Sequence, residues 1–231
     1  MQPPRKNRWS RPDVISPWPS TMPAATASKT PPAALVRTVG QTSATSSPAR
    51  FYVFFGMIAA GKSTLAKAWA ARHSLSYHNS DVVRKELAGL AAATRRPEDA
   101  AQGIYSPEFS RLTYDELLCR AATDLHQNKK VVLDAAYLGR LERDEVNALA
   151  GSLGLIAHFV LCECSDQVRR ERLAIRAGDP QAVSDGRWEI YHRQRDKFQY
   201  PVELSGDQLL VINTAQPLER LLNELEATLK N

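Results

Sequence analysis

Residues 56–64 read Gly-Met-Ile-Ala-Ala-Gly-Lys-Ser-Thr, a spacing suited to holding phosphate. Gly56 and Gly61 bracket four residues whose backbone must come close to a ligand, where a side chain would block the approach. The N–H groups of a loop through Ala59, Ala60 and Gly61 can converge into a nest for an anion. A helix starting near Lys62 and running on through Thr64 adds its positive end. The Lys62 ammonium can neutralise the β- and γ-phosphates of a bound nucleotide, and the Ser63 hydroxyl is a hard oxygen ligand for Mg²⁺. The chemistry that this pattern supports is the binding of a nucleoside triphosphate with Mg²⁺.

Two carboxylates and a set of arginines could act on a triphosphate held in this way. Asp134 ends the apolar run at 131–133, where an acid can hold the Mg²⁺ shell; an aspartate after a strand also serves as a helix cap. Asp81 follows the run at 75–78. It would sit beside the γ-phosphate, where a carboxylate can orient an acceptor hydroxyl and take its proton. Arg84 lies one helical turn further on the same face, suited to an anionic group of the acceptor or to the moving phosphoryl. The alternative for this pair is an N-cap aspartate beside a solvated arginine. Arg169, Arg172 and Arg176 fall at i, i+3 and i+7, one basic helical face ahead of the Gly-Asp-Pro break at 178–180. A helix of this kind suits a lid, over about residues 169–190, that closes on ATP and excludes water. Its guanidinium groups would steady the spreading charge of the transition state. A solvated face laced with Glu171 is the other reading.

The elements that must position these groups follow from the apolar pattern. Strands are expected at 51–55, 75–78, 130–134, 155–161 and 209–213, and helices at 62–72, 82–87, 108–127, 140–152, 166–176, 186–198 and 217–229. The runs at 51–55 and 130–133 are wholly apolar apart from Lys130, as strands buried on both faces are. Strands alternate with helices, which implies an α/β fold with a parallel sheet covered on both faces. Ligands on such sheets sit at the carboxyl ends of the strands, where Gly56, Asp81 and Asp134 fall. The stretch 89–106, with Arg95, Arg96 and Tyr105, is long enough to be an acceptor-covering loop.

Net charge is +5, but residues 1–50 carry +6 and the remainder −1. The near-neutral domain argues against a surface built mainly for nucleic acid. Residues 1–49 hold nine of the fourteen prolines with much Ser, Thr and Ala, so they read as a disordered basic tail ahead of a single domain at 50–231. Cys119, Cys162 and Cys164 make no complete set of disulfides, and reduced thiols in a cytoplasmic protein are the expectation. No apolar run approaches the roughly 18 residues of a membrane span.

Taken together, the loop, Asp-x-x-Arg after the second strand, Asp after the third and the arginine helix form the layout of small P-loop kinases. The chain resembles the polynucleotide-kinase-like, zeta-toxin-like and gluconate-kinase-like groups over about residues 51–200. The runs Ser80-Asp-Val-Val-Arg-Lys-Glu-Leu-Ala-Gly89, Ile104-Tyr-Ser106 and Val132-Leu-Asp-Ala-Ala-Tyr137 look most like the bacterial "predicted kinase" family. Relatives often carry Thr where this chain has Ala136. The resemblance implies a three-layer P-loop NTPase fold with a five-stranded parallel sheet of the nucleoside-kinase type and a helical lid. It also implies ATP as donor, Asp81 as base, Arg84 on the acceptor, and Arg172 and Arg176 in the lid. A small-molecule hydroxyl acceptor is the first expectation. A 5′-hydroxyl nucleic-acid kinase and an ATPase or nucleotide switch without acceptor are the alternatives.

Overall fold

In the computed structural model the described residues are 51–91, 103–178, 188–204 and 206–229. The expected tail, residues 92–102 of the expected acceptor loop and residues 179–187 of the expected lid lie outside them. Five strands, β1 (Phe51–Phe55), β2 (Ser76–Asn79), β3 (Val131–Asp134), β4 (Ala157–Glu163) and β5 (Leu209–Asn213), form one sheet. All neighbours are parallel, in the order β2-β3-β1-β4-β5. The connections are α1 (Lys62–Arg72), α2 (Ser80–Leu87), α3 (Pro107–His126), α4 (Arg140–Ser152), α5 (Asp166–Gly178) and α6 (Trp188–Lys197), and α7 (Leu218–Leu229) follows the last strand.

Successive side chains of a strand point to opposite faces, and here both faces are covered. Phe51, Val53 and Phe55 of β1 pack with Leu117, Ala121 and Leu125 of α3 and Val146 and Ala150 of α4. Tyr52 and Phe54 pack on the other face with Leu65, Ala66 and Trp69 of α1 and Leu221, Leu222 and Leu225 of α7. This is the three-layer α/β fold, with the five-stranded parallel sheet expected from the sequence. β1 is central and every residue in it is buried, which is why it reads as a continuous apolar run.

Two strands sit further along the chain than the apolar pattern suggests. β2 runs to Asn79 instead of His78, and α2 begins at Ser80 instead of Val82. The Asn79 side chain accepts from the Asp81 and Val82 N–H groups at 3.0 and 3.1 Å and so starts the helix two residues early. β4 begins at Ala157 and continues to Glu163, because pairing with β5 extends through Glu163 and Asn213; Ile156 before it is exposed. The register sets Asp134 level with Phe54 on one side and Asn79 on the other, just below the loop that opens at Gly56.

Candidate nucleotide site

The loop at 56–61 is defined by where its carbonyls go. Met57 O accepts from the Lys62 ammonium at 2.9 Å and from the Ala60 N–H at 3.2 Å. Ile58 O accepts from Arg169 Nη1. Ala59 O accepts from Arg172 Nη1 at 3.3 Å and lies 3.8 Å from Cys164 Sγ. Ala60 O accepts from the Thr214 hydroxyl at 2.6 Å, and Gly61 O from the Leu65 N–H at 3.2 Å. These five carbonyls are bonded, while the N–H groups of Ala59, Gly61, Lys62, Ser63 and Thr64 have no hydrogen-bond partner among the described residues. Unpaired N–H groups at the start of an eleven-residue helix are suited to an anion.

Both glycines are required by this shape. Gly56 has φ +128°, and a Cβ there would lie 2.5 Å from the Cys162 carbonyl oxygen. Gly61 has φ +84°, and its Cβ would meet Thr214 Oγ1 at 2.9 Å and Arg172 Nη1 at 3.0 Å. Ala59 adopts φ +55° although it has a side chain, so the loop is held in a conformation that L-residues avoid.

Asp134 is fully buried at the floor of the site. Its Oδ2 accepts from the Tyr77 hydroxyl at 2.6 Å and from the Asn79 amide at 2.7 Å. Its Oδ1 is buried with no partner among the described residues. The Tyr77 hydroxyl interacts with Ser63 as well as with Asp134, and burial together with Asp134 pushes its ionisation far upward. Asp134, Tyr77, Asn79 and Ser63 thus form one polar cluster at the end of the sheet. A buried, half-satisfied carboxylate beside a serine hydroxyl at a phosphate nest fits Mg²⁺, which binds through few protein oxygens and keeps waters and phosphates for the rest.

Lys62 joins the loop to this cluster. Burial holds its ammonium below the usual range; Asp134, then Cys162 and Asp81, draw it back up, and Arg176 pushes it down. The sequence places Lys62, Asp134, Asp81 and Arg176 far apart, and the fold brings all four within electrostatic reach. Burial also raises the Asp81 carboxyl above its ordinary range, opposed by Arg84 and Lys62 and assisted by Asp134. Asp81 does not cap its helix, since Asn79 does. Its carboxylate is left for other work, and a raised proton affinity suits a base.

Arg84 is 7% exposed. Its Nη1 donates to the Ile104 carbonyl at 2.8 Å and to Ser110 Oγ at 3.1 Å, and its guanidinium lies 5.2 Å from the Tyr105 ring centroid. It therefore ties α2 to the short 3-10 turn Gly103–Tyr105. Ser106 caps α3 by accepting from the Phe109 N–H at 3.1 Å. The Ile104-Tyr105-Ser106 run is thus the anchor of that segment. Arg172 lies against the loop, with Nη1 2.9 Å from Thr214 Oγ1 and Nη2 2.6 Å from Thr214 O. Arg176 follows on the same helix. Cys162 is buried and its thiol is pushed up to about 12, so it packs as a protonated apolar side chain.

Four contributors escaped the sequence reading: Tyr77, Asn79, Thr214 and Gln194, whose Oε1 accepts from the Ile58 N–H at 2.6 Å. Asn79 alone carried a local signal, since an Asn before a helical run is a favoured cap. The others act on partners far along the chain.

Residues 52–201 match the family described as AAA domain. No curated protein matches the sequence. Solved structures match over most of their length. A gluconokinase from Sinorhizobium meliloti is 21% identical with a TM-score of 0.54, covering 79% of this chain and 92% of that one. A sugar kinase from Janibacter is 18% identical with a TM-score of 0.58, covering 79% and 95%. The Mycobacterium tuberculosis APS kinase, solved with AMPPNP and APS, is 17% identical with a TM-score of 0.57, covering 80% and 99%. At these identities the likeness is one of fold.

Proposed function

The chain belongs to the AAA domain family, and on that premise we propose that it is a kinase that transfers the γ-phosphoryl of ATP to a hydroxyl of a small-molecule acceptor. The observation that carries this reading is the loop whose carbonyls from Met57 to Gly61 are all bonded, while the N–H groups of Ala59, Gly61, Lys62, Ser63 and Thr64 have no hydrogen-bond partner among the described residues. The nest and the α1 terminus bind the β-phosphate, and the Lys62 ammonium leaves Met57 O for the β- and γ-oxygens. Ser63 and the free Oδ1 of Asp134 would hold Mg²⁺, which supplies charge neutralisation at the β- and γ-oxygens. Asp81 orients the acceptor hydroxyl and takes its proton as the acceptor oxygen bonds to the γ-phosphorus. The bond from that phosphorus to the bridging oxygen breaks, and ADP leaves.

Arg84 holds the wall of the acceptor site in place through Nη1, bonded to Ile104 and Ser110, and its Nε, buried without a hydrogen-bond partner among the described residues, is left for an anionic group of the acceptor. Arg176, on the helix beside the loop, steadies the transferring charge, while Arg172, whose Nη1 and Nη2 are bonded to Ala59 O and Thr214, braces the loop. The similar folds are named as a gluconokinase, a sugar kinase and an APS kinase, which supports a small-molecule acceptor over a nucleic acid. Free thiols at Cys119, Cys162 and Cys164 suit the reducing, ATP-supplied cytoplasm.

The test is transfer from γ-labelled ATP into a fractionated pool of metabolites and oligonucleotides, with wild type beside Asp81→Asn. A labelled small molecule that is lost in the variant, with ADP affinity kept, is the expected result. Label in oligonucleotides would move the acceptor class to nucleic acid. Free phosphate alone, equal in both proteins, would sink the kinase reading and leave an ATPase.

A further inference from the structure

Ile58 is the one loop residue gripped on both its N–H and its C=O by side chains from distant helices among the described residues. Gln194 of α6 accepts from its N–H at 2.6 Å, and Arg169 of α5 donates to its carbonyl. The two grips are braced against each other. The Arg169 guanidinium lies 4.4 Å from the Tyr191 ring centroid, and the Tyr191 hydroxyl donates to Asp166 at 2.6 Å. Arg170 stacks on Trp188 at 4.1 Å, a second tie between α5 and α6. The side chains of Ile58 and Ala59 pack with Leu173 and Tyr191 in a small cluster separate from the two faces of the sheet.

The next residue, Ala59, stands at φ +55°. Such a conformation persists only when its surroundings over-determine it. We propose that Gln194 and Arg169 are positioning residues that force this turn from outside, so that the loop is already shaped for phosphate before nucleotide arrives. The choice of side chains fits the task. A neutral amide accepts the Ile58 N–H without bringing negative charge to an anion site. A buried guanidinium holds Ile58 O and, at 3.5 Å, Cys164 O together, which a single ammonium cannot do in the same planar fork. The grip also links the loop to both helices that flank residues 179–187, so a change in the relative position of α5 and α6 would be felt at the phosphate nest.

This inference rests on the reading of 56–64 as a phosphate loop, and the experiment separates the two. ADP and inorganic tripolyphosphate are titrated calorimetrically into wild type, Gln194→Leu, Arg169→Lys and the double variant, each checked for fold by circular dichroism. Gln194→Leu keeps the size of the side chain and removes the acceptor. It should weaken both ligands by a similar factor of about five to ten, the worth of one such hydrogen bond. In the kinase assay KM for ATP should rise by that factor while kcat stays within threefold. Because both residues act on one loop residue, the double variant should lose less than the product of the single losses. Unchanged affinity in folded Gln194→Leu, or losses that multiply, would overturn the proposal; should Arg169→Lys not fold, Gln194→Leu decides alone. A wild-type protein that binds neither ADP nor tripolyphosphate would instead overturn the phosphate-loop reading, and this inference with it.

Discussion

Replacing Asp134 by Asn separates activity from stability, and the structure says which of the two should change. Asp134 Oδ2 accepts from Tyr77 at 2.6 Å and Asn79 at 2.7 Å, while Oδ1 is buried and unpaired. An asparagine must keep its oxygen on the Tyr77 and Asn79 donors, so its NH₂ takes the place of Oδ1. A donor then stands where a metal shell needs an acceptor. Loss of one such oriented oxygen lowers metal affinity or activity about 10- to 100-fold. Stability should change little. Asparagine keeps both hydrogen bonds, and the burial cost that it relieves is opposed by loss of the charge that faces the Lys62 ammonium. Tm should therefore hold within a few degrees. The assays are Mg²⁺-dependent turnover of ATP and thermal unfolding in the absence of nucleotide. Turnover within threefold of wild type would refute the metal-shell role. A fall in both turnover and Tm would show that Asp134 serves the fold, not the metal.

Three further outcomes follow from the same geometry. Lys62→Met should abolish nucleotide turnover and raise Tm at neutral pH, because burial lowers the Lys62 pKa. The wild type should itself gain stability as pH rises from that lowered value towards the ordinary lysine range, where the unfolded chain still holds the proton, so the gap to Lys62→Met should narrow there in melts taken across the alkaline range. Asp81→Asn should also be more stable than wild type at neutral pH, since burial raises the Asp81 pKa. That advantage should vanish as pH falls through the raised value to the ordinary carboxylate range, where Asp81 is protonated in both states; a gap independent of pH would mean that the fold does not raise the proton affinity of Asp81. Ala59→Gly relieves a left-handed alanine at φ +55°, worth about 1 kcal/mol, against an unfolded-state cost of about 0.4–1 kcal/mol. Tm should therefore stay level or rise, and a loss of more than about 3 °C, the mark of an ordinary helical or extended alanine, would refute the strain.

The positions of strands and helices were legible because their signals are local. The apolar run 51–55 reads as a central strand from residue types alone, and α1, α4 and β5 begin and end where the pattern puts them. The displaced start of α2 came from one side-chain cap, Asn79, which periodicity does not register. β4 ended late because its length is set by pairing with β5, a partner nearly fifty residues on. Arg84 shows the same limit at the site. By type and spacing it is a cation facing the acceptor; the fold also ties its Nη1 to Ile104 and Ser110, partners that spacing does not show. Asp81 shows the reverse, since Asn79 takes the capping role and leaves the carboxylate unspent.

By itself the sequence determined what is local: the glycine spacing, the lysine and serine that follow it, the carboxylates at strand ends and the alternation of apolar strands with helices. Tertiary structure alone decided which polar groups are spent and which remain to meet a ligand. Thr214 on Ala60, Arg172 on Thr214, Tyr77 on Asp134 and Gln194 on Ile58 join residues 42 to 154 positions apart. A hydrogen-bonding group inside a protein must find a partner or bear the cost of going without. Which group is left over is therefore a property of the whole fold.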